Sequence, residues 1–269
     1  MANTIQNATN QLSAKKGAPK MADYVKTMEG EIKKALPSVI TPERFTRITL
    51  SALSTNPQLQ QTTPQSFLGA MMTAAQLGLE PNTPLGQAYL LPYRNKGTLE
   101  CQFQIGYRGI IDLAYRSGEI SVIQAHTVYE NDEFHYEFGL EPKLDHKPAL
   151  KDRGEPVAFY AMFKTKDGGY GFEVMSVQDV KLHAKKYSKS FDSAYSPWST
   201  NFEEMAKKTV LKRVLKYAPL KSDFARQVSA DESIKTEISS DMLDVANEQF
   251  EVESTVIDTE TGEVLSENK

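Results

Sequence analysis

Residues 99–118 constrain the fold more than any other part of this sequence. Apolar residues at positions 99, 101, 103 and 105 alternate with polar residues, a period of two that is typical of a β-strand with one face in the core. The pattern ends in the tetrapeptide Gly-Tyr-Arg-Gly at positions 106–109, and an amphipathic helical pattern continues to Ser117. A strand that passes through a glycine-bracketed turn directly into a helix predicts a fold that mixes α and β elements.

Helix signals come before this segment, and strand signals and then helix signals follow it. Residues 22–36 are amphipathic, and Thr41-Pro42 and Thr63-Pro64 each place a capping threonine before a proline at the first helical position. Strands are predicted on both sides of a turn at 94–97 and over 120–129, 134–138, 156–165 and 170–175. Helices with capping-box starts follow at Ser176 and Thr200, and residues 252–265 are compatible with a small hairpin. This order predicts an α+β fold, in which an antiparallel β-sheet packs on helices, with N-terminal helices and basic helices at the C-terminal end of the core.

Charge divides the chain into a basic body and an acidic C-terminal part. Residues 231–269 contain twelve acidic and two basic residues; because the whole chain carries a net charge of −4, residues 1–230 carry +6. We predict a disordered N-terminal tail at 1–21, one domain at 22–230 and an acidic flexible tail at 231–269. The acidic tail either is a solvated segment with no further role, or it recruits a basic partner or tempers the binding of a polyanion by the body.

Several function classes lack their sequence signals. The chain has no Walker loop, no GxGxxG motif and no paired histidine spacing, and its one cysteine, Cys101, is expected to be a buried, inert thiol. Acidic residues at 129–146 could assemble a metal site, but solvated charges are the favoured interpretation. We therefore expect no hydrolytic chemistry. The chain has no apolar signal region and no run of transmembrane length, so a cytoplasmic location is expected.

The helix that starts near Thr200 is predicted to have one basic and one apolar face. The basic face contains Lys208, Thr209, Lys212, Arg213 and Lys216, and the apolar face contains Val210, Leu211, Val214, Leu215 and Tyr217. Lys207 projects from the apolar side, where it must reach water or meet an anion. The alternative is an ordinary solvated face, in which Glu203 and Glu204 pair with Lys207 and Lys208. The position of Lys207 favours an anion site.

The preceding helix and loop repeat this combination of cations and rings. Lys181, Lys185 and Lys186 lie on the helix, and the loop after it contains aromatic residues that include Trp198. Cations can contact the phosphates of a single strand while aromatic rings stack on its bases. Trp198 can equally be an anchor in the core.

The Gly-Tyr-Arg-Gly turn fits the same interpretation. Arg108 lies at a helix N-terminus, where the helix dipole and free amide groups favour an anion, and Tyr107 could stack on a base. The two flanking glycines would let a backbone approach closely, and Gln102 and Gln104 would extend the surface along the strand. The alternative is a surface ladder in which Asp112 bridges Arg108 and Arg116.

Several blocks of this sequence together resemble the RecT family of phage-type single-strand annealing proteins, which is related to Redβ. They are QLGLEPNTPLGQAYLLPYRNKG, QIGYRGIIDLA, DEFHYEFGL, DGGYGFEVM and PWSTNFEEMAKKTVLKRVLKY, and the resemblance covers residues 26–231. The resemblance implies single-stranded DNA binding and ATP-independent annealing of complementary strands in homologous recombination and DNA repair. It also implies a phage or prophage recombinase that forms rings or helical filaments, with DNA in a basic groove, and an annealing core thought to be shared with Redβ.

The resemblance also implies residue roles, partners and cofactors. Motif by motif, it assigns DNA contacts to Gln104, Tyr107 and Arg108 and to Lys207, Lys208 and Arg213. Together with the pattern analysis, the candidate DNA contacts are Gln102, Gln104, Tyr107, Arg108, Lys181, Lys185, Lys186, Trp198, Lys207, Lys208, Thr209, Lys212, Arg213 and Lys216. The expected partners are single-stranded DNA, the annealed duplex intermediate, further copies of the chain, an exonuclease and a host single-strand binding protein. No cofactor is expected to be required, although magnesium often helps binding in the family and no ligand for it can be assigned. A plain single-strand binding protein and a metal-dependent nuclease remain as rival classes.

Overall fold

The computed structural model describes residues 20–95, 97–188, 191, 196–220 and 222–247, and two short strands at 256–257 and 264–265. The N-terminal part contains α1 (Met21–Thr27), α2 (Glu29–Ala35), α3 (Pro42–Thr55), a 3-10 turn (Leu59–Gln61) and α4 (Pro64–Leu77). The single helix predicted over 22–36 is wrong, because the backbone turns at Met28 and divides it into α1 and α2.

The two threonine-proline starts are confirmed. The side chain of Thr41 accepts a hydrogen bond from the N–H of Arg44, and the side chain of Thr63 accepts one from the N–H of Ser66. α4 ends at Gly78, which adopts the left-handed conformation with a φ of 61°. Almost every residue of α4 is buried, so this helix forms the centre of the N-terminal part.

The strands and the remaining helices alternate through the rest of the chain. They are β1 (Ala88–Asn95), β2 (Thr98–Ile105), α5 (Tyr107–Arg116), β3 (Ile120–Tyr129), β4 (Glu133–Glu137), β5 (Lys143–Lys147), β6 (Pro156–Thr165), β7 (Tyr170–Ser176), α6 (Val177–Tyr187), α7 (Pro197–Thr200), α8 (Phe202–Val214), α9 (Ser222–Ser229), β8 (Val256–Ile257) and β9 (Val264–Leu265). Strand β5 was not predicted, because four of its five residues are charged or histidine. The α+β fold class is confirmed.

The strands form several antiparallel units rather than one sheet. β1 pairs with β2, β4 pairs with β5, and β3, β6 and β7 form a sheet with β6 in the centre. Helix α8 packs on the inner face of this three-stranded sheet, where the ring centroids of Phe159 and Phe202 lie 5.8 Å apart. β8 and β9 pair within the residues for which a small hairpin was predicted.

The packed core extends beyond the boundary predicted at residue 231. The backbone of Ser233 exchanges two hydrogen bonds with that of Phe103, at 2.9 and 3.2 Å, and therefore continues the edge of β2. Ile234 and Met242 are fully buried. These apolar side chains lie among acidic residues, so the composition of the segment did not indicate that it packs on the core. The part of the predicted acidic tail beyond residue 247, and the predicted N-terminal tail apart from Lys20 and Met21, lie outside the described residues except for β8 and β9. Among the helices that the structure describes, none has the length and apolar character needed to cross a membrane.

Candidate nucleic-acid interface

The Gly-Tyr-Arg-Gly turn starts helix α5 in tight contact with the chain's own backbone. Gly106 is the N-cap and donates its N–H to the carbonyl of Gln87 at 2.9 Å. A Cβ on Gly106 would lie 2.1 Å from the carbonyl oxygen of Gly86, and a Cβ on Gly109 would lie 2.1 Å from that of Gln87. A backbone therefore approaches both glycines closely, as expected, and it is that of residues 86–87 of the same chain.

Arg108 presents an exposed guanidinium at the N-terminus of α5. Its Nε donates to the hydroxyl of Tyr107 at 3.1 Å, and among the described residues it forms no ion pair with a carboxylate. Asp112 pairs instead with Arg116 at 2.8 Å, so only one half of the expected ladder forms. A cation at this end of a helix is unfavourable by itself and becomes favourable when an anion joins it.

Two further side chains face this turn. The Nζ of Lys207 lies 5.9 Å from the ring centroid of Tyr107. Tyr89 Oη and Arg108 Cδ both lie close to Gly86, at 3.3 and 3.6 Å from the position of a Cβ on that glycine. We call Tyr89, Tyr107, Arg108 and Lys207 the junction surface. It combines two rings with two cations.

Lys207 is only weakly neutralised within the chain. Its Nζ lies 3.9 Å from a carboxylate oxygen of both Glu203 and Glu204, the limit of an ion pair. Glu203 is instead held by the hydroxyls of Thr127, at 2.8 Å, and Tyr129, at 3.3 Å. Lys207, whose side chain is 18% exposed, is therefore held by two long ion pairs and by no short one.

Lys208 and Lys212 are bound to a carboxylate of the same chain. The Nζ atoms of both lysines lie within 2.9 Å of Asp231, whose side chain is 1% exposed, and the N–H of Ile105 donates to Asp231 at 2.8 Å. Burial acts to raise the pKa of Asp231, but the two ammonium groups outweigh it and hold the pKa below its usual value. The Lys208 side chain is 4% exposed, so the prediction that it lies on an open basic face is wrong. The segment that begins at Ala230 covers that part of α8.

Several other candidate contacts lie inside the protein. Gln104 and Thr209 are buried, and Thr209 donates to the carbonyl of Met205 at 2.9 Å. Trp198 is 8% exposed and packs between the rings of Phe191 and Phe202, so its alternative role as a core anchor is confirmed.

Gln102 is partly buried and donates to the carbonyl of Glu232 at 3.3 Å. Tyr217, predicted on the apolar face of α8, is 81% exposed because the helix ends at Val214.

The remaining cations form a second exposed surface on α6 and α8. We call it the α6–α8 basic surface, and it consists of Lys181, Lys185, Lys186, Arg213 and Lys216. The charges of the two helices act on His183 of α6: burial lowers its pKa, and Arg213, Lys212 and Lys216 of α8 and the turn that follows it lower it further. Arg213 also pairs with Glu173 at 2.6 Å. Arg213 follows Lys207 by six positions, about 9 Å along the axis of α8, so this helix carries cations of both surfaces.

The chain also contains a buried polar cluster that sequence reasoning missed. Asp132 has no exposed side-chain surface and accepts hydrogen bonds from Arg153 Nε at 2.9 Å, His146 Nε2 at 3.0 Å and the N–H of Ala149 at 2.9 Å. The hydrogen bond from Arg153 holds the pKa of Asp132 well below its usual range. The interpretation of this carboxylate as solvated is therefore wrong, and no sequence signal indicated partners so far along the chain.

The described part of the chain shows neither a cluster of metal-binding side chains nor an accessible thiol. No group of three or more metal-binding side chains there could hold a metal ion. Cys101 is fully buried, as predicted, and burial raises the pKa of its thiol.

Comparison with known proteins identifies the family to which this chain belongs. The sequence model of the RecT family matches residues 43–244, which include the junction surface and the α6–α8 basic surface. Protein RecT of Escherichia coli strain K12 is 43% identical over 210 residues, which cover 77% of each chain. The uncharacterized protein YqaK of Bacillus subtilis strain 168 is 28% identical over 267 residues, 96% of this chain and 88% of the relative. The chain therefore belongs to the RecT family.

Proposed function

We propose that this protein binds single-stranded DNA and anneals complementary strands without ATP during homologous recombination. We further propose that it works as an oligomeric ring or helical filament, with DNA in a basic groove. Family membership supports the general role. The single observation that carries the DNA site is the junction surface, where the exposed Arg108 has no carboxylate partner among the described residues and lies beside the ring of Tyr107 at a helix N-terminus.

The two kinds of side chain have different tasks in this proposal. Arg108 and Lys207 contact phosphates, while the rings of Tyr89 and Tyr107 stack on bases. This combination binds a single strand whatever its base sequence. The α6–α8 basic surface continues the phosphate contacts. Tyr89 is 37% exposed, which leaves part of its surface for such a contact.

Annealing requires that the bound strand can still be read by a second strand. Because the protein binds the DNA backbone, the base edges stay free, and base pairing itself selects the complementary strand. Pairing releases about 1.4 kcal/mol per base-pair step and needs no hydrolysis of a nucleotide. In an oligomer, many weak sites on one strand act together as a tight site.

The partners and the cofactor belong to the same proposal. We propose that an exonuclease supplies the single strand, that a host single-strand binding protein is displaced or recruited, and that magnesium stimulates binding without a dedicated site. The acidic residues beyond 247 either contact such partners or compete with DNA.

An annealing assay tests the proposal against its rivals. Two complementary dye-labelled oligonucleotides are added in sequence, without nucleotide, to wild type, Arg108→Ala and the control Lys33→Ala, which removes an exposed lysine on α2. Acceleration by wild type and the control but not by Arg108→Ala supports the proposal. Binding without acceleration would identify a plain single-strand binding protein, and magnesium-dependent cleavage of the label would identify a nuclease.

A further inference from the structure

The hairpin of β4 and β5 ends in an apolar tip that faces solvent. Phe138 is 61% exposed and Leu140 is fully exposed. The ring of Phe138 stacks on that of Phe172 in the three-stranded sheet, with centroids 5.0 Å apart, and meets Tyr136 edge-on at 5.5 Å. The tip is therefore supported by aromatic contacts on one side while its other side remains open.

The charges around this tip are unsuited to DNA. Residues 133–147 contain four carboxylates against two lysines. Glu133 pairs with Lys147 at 2.8 Å and Glu137 with Lys143 at 3.7 Å, whereas Glu141, at the tip, forms no ion pair among the described residues. An apolar tip with an unpaired carboxylate repels a polyanion and is complementary to an apolar surface that carries a cation.

Such a surface exists on α3 and the loop that follows α4. An open groove of about 650 Å³ is lined there by Ile48, Pro84 and Leu85 and by Arg44 and Arg47. Arg44 pairs with Glu80 at 2.7 Å, but Arg47 has no carboxylate partner among the described residues. Leu85 is 47% exposed, so the groove offers apolar contact directly beside these two arginines.

We propose that the tip at residues 138–141 of one copy inserts into the groove at Arg44 and Arg47 of a second copy, with Glu141 paired to Arg47. The tip and the groove are different surfaces, so each bound copy keeps one free tip and one free groove. Repetition of such a contact gives a closed ring or an open helix, depending on the rotation between copies. This inference rests on the proposed oligomeric function and assigns its contact surfaces.

Reciprocal charge reversal tests the contact directly. Mass distributions without DNA are measured by sedimentation velocity for wild type, Arg47→Glu, Glu141→Arg, the double variant, and the control Lys166→Glu, which reverses an exposed charge in the β6–β7 turn. We expect wild type and the control to form large assemblies, each single variant to shift at least tenfold in assembly midpoint concentration, and the double variant to recover most of that loss. Monomeric wild type, unaffected single variants, or a double variant as impaired as the singles would each overturn the inference.

Binding of a short oligonucleotide separates this inference from the proposed function. An oligonucleotide too short to span two subunits contacts one subunit site, so its affinity does not depend on assembly. We expect Arg47→Glu and Leu140→Ser to bind it as wild type does, and Arg108→Ala to assemble normally but bind it weakly. If the tip variants lost short-oligonucleotide binding while assembling normally, the tip would contact DNA and the inference would be wrong.

Discussion

Replacing Lys208 by methionine separates a structural ion pair from a DNA contact. Methionine keeps most of the length and apolar surface of the lysine side chain but removes its charge. In the variant, the buried carboxylate of Asp231 retains Lys212 and the N–H of Ile105 as partners but loses the ammonium group at 2.8 Å. We therefore expect the variant to be less stable because a buried charge is only partly compensated.

The magnitude follows from the burial of both partners. Removing one member of a buried ion pair costs about 3–5 kcal/mol, and the remaining partners of Asp231 place this variant at the lower end, about 3 kcal/mol. For a domain of this size, such a loss lowers the melting temperature by roughly 6–12 °C. The control Lys216→Met removes an exposed charge and should leave the melting temperature unchanged.

The loss of stability in Lys208→Met should depend on pH in a way that identifies Asp231 as its cause. Because the folded pKa of Asp231 is lowered, its pairing contributes stability above the ordinary aspartate value of about 3.9, and this contribution is lost as the pH falls through the lowered pKa. The difference between wild type and Lys208→Met should therefore be full at pH 7 and shrink as the pH falls through the pKa that Asp231 has in the folded variant, where Lys212 alone opposes the effect of burial. Thermal unfolding followed by circular dichroism measures both effects.

DNA binding at 25 °C completes this test. We expect Lys208→Met, while folded, to bind single-stranded DNA like wild type, and Lys216→Met to bind it more weakly. The reasoning would be refuted if Lys208→Met melted within 2 °C of wild type at pH 7 and had lost DNA binding, because Lys208 would then belong to the interface after all.

Three further predictions concern the start of α5 and its binding to DNA. Arg108→Ala should lower the affinity for a short single strand about tenfold, the value of one charged hydrogen bond, without a change in melting temperature, as fluorescence anisotropy and thermal unfolding can check. Gly109→Ala should destabilise the protein by about 1–3 kcal/mol in urea unfolding, because its Cβ would meet the carbonyl of Gln87; unchanged stability would contradict the close packing. The logarithm of the DNA affinity should fall linearly with that of the salt concentration, and Arg108→Ala should reduce the slope by about one; a flat dependence would exclude phosphate contacts.

Local signals explain what the sequence could predict. The helix starts at Thr41 and Thr63, the turn at Gly78 and the strand-to-helix junction each depend on a few neighbouring residues, whose hydrogen bonds and backbone preferences act over one turn. The position of Arg108 at the N-terminus of α5 follows from the same local geometry.

The errors on α8 have a different physical cause. A helical wheel separates polar from apolar residues, but it does not show which other segment covers each face. Asp231, which binds Lys208, also accepts the N–H of Ile105, 126 positions away along the chain. Contacts over such separations have no local signal, so the buried lysine and the exposed Arg213 look alike in the sequence.

The same long-range packing changes what a shortened chain should do. The sequence boundary at 231 predicts that a chain ending at Ala230 still anneals DNA, but that chain lacks the partner of Lys208 and the strand-like contact of Ser233. It also lacks Ile234, whose burial alone is worth about 1.5–3 kcal/mol. We therefore expect a chain ending at Ala230 to melt well below the full-length protein, whereas a chain ending at 247 should keep its melting temperature.

DNA binding by the chain ending at 247 then decides the role of the acidic residues beyond it. That chain loses seven acidic residues and one lysine and keeps every contact of Asp231. Tighter binding than full length, most evident at low salt, would mean that the distal acidic residues compete with DNA, because screening weakens such competition. Unchanged binding would mean that these acidic residues either contact protein partners or have no role. If the chain ending at Ala230 melted like the full-length protein and annealed DNA normally, the segment at 231–247 would not be part of the fold. Lys208 and Lys212 would then again be available to phosphates.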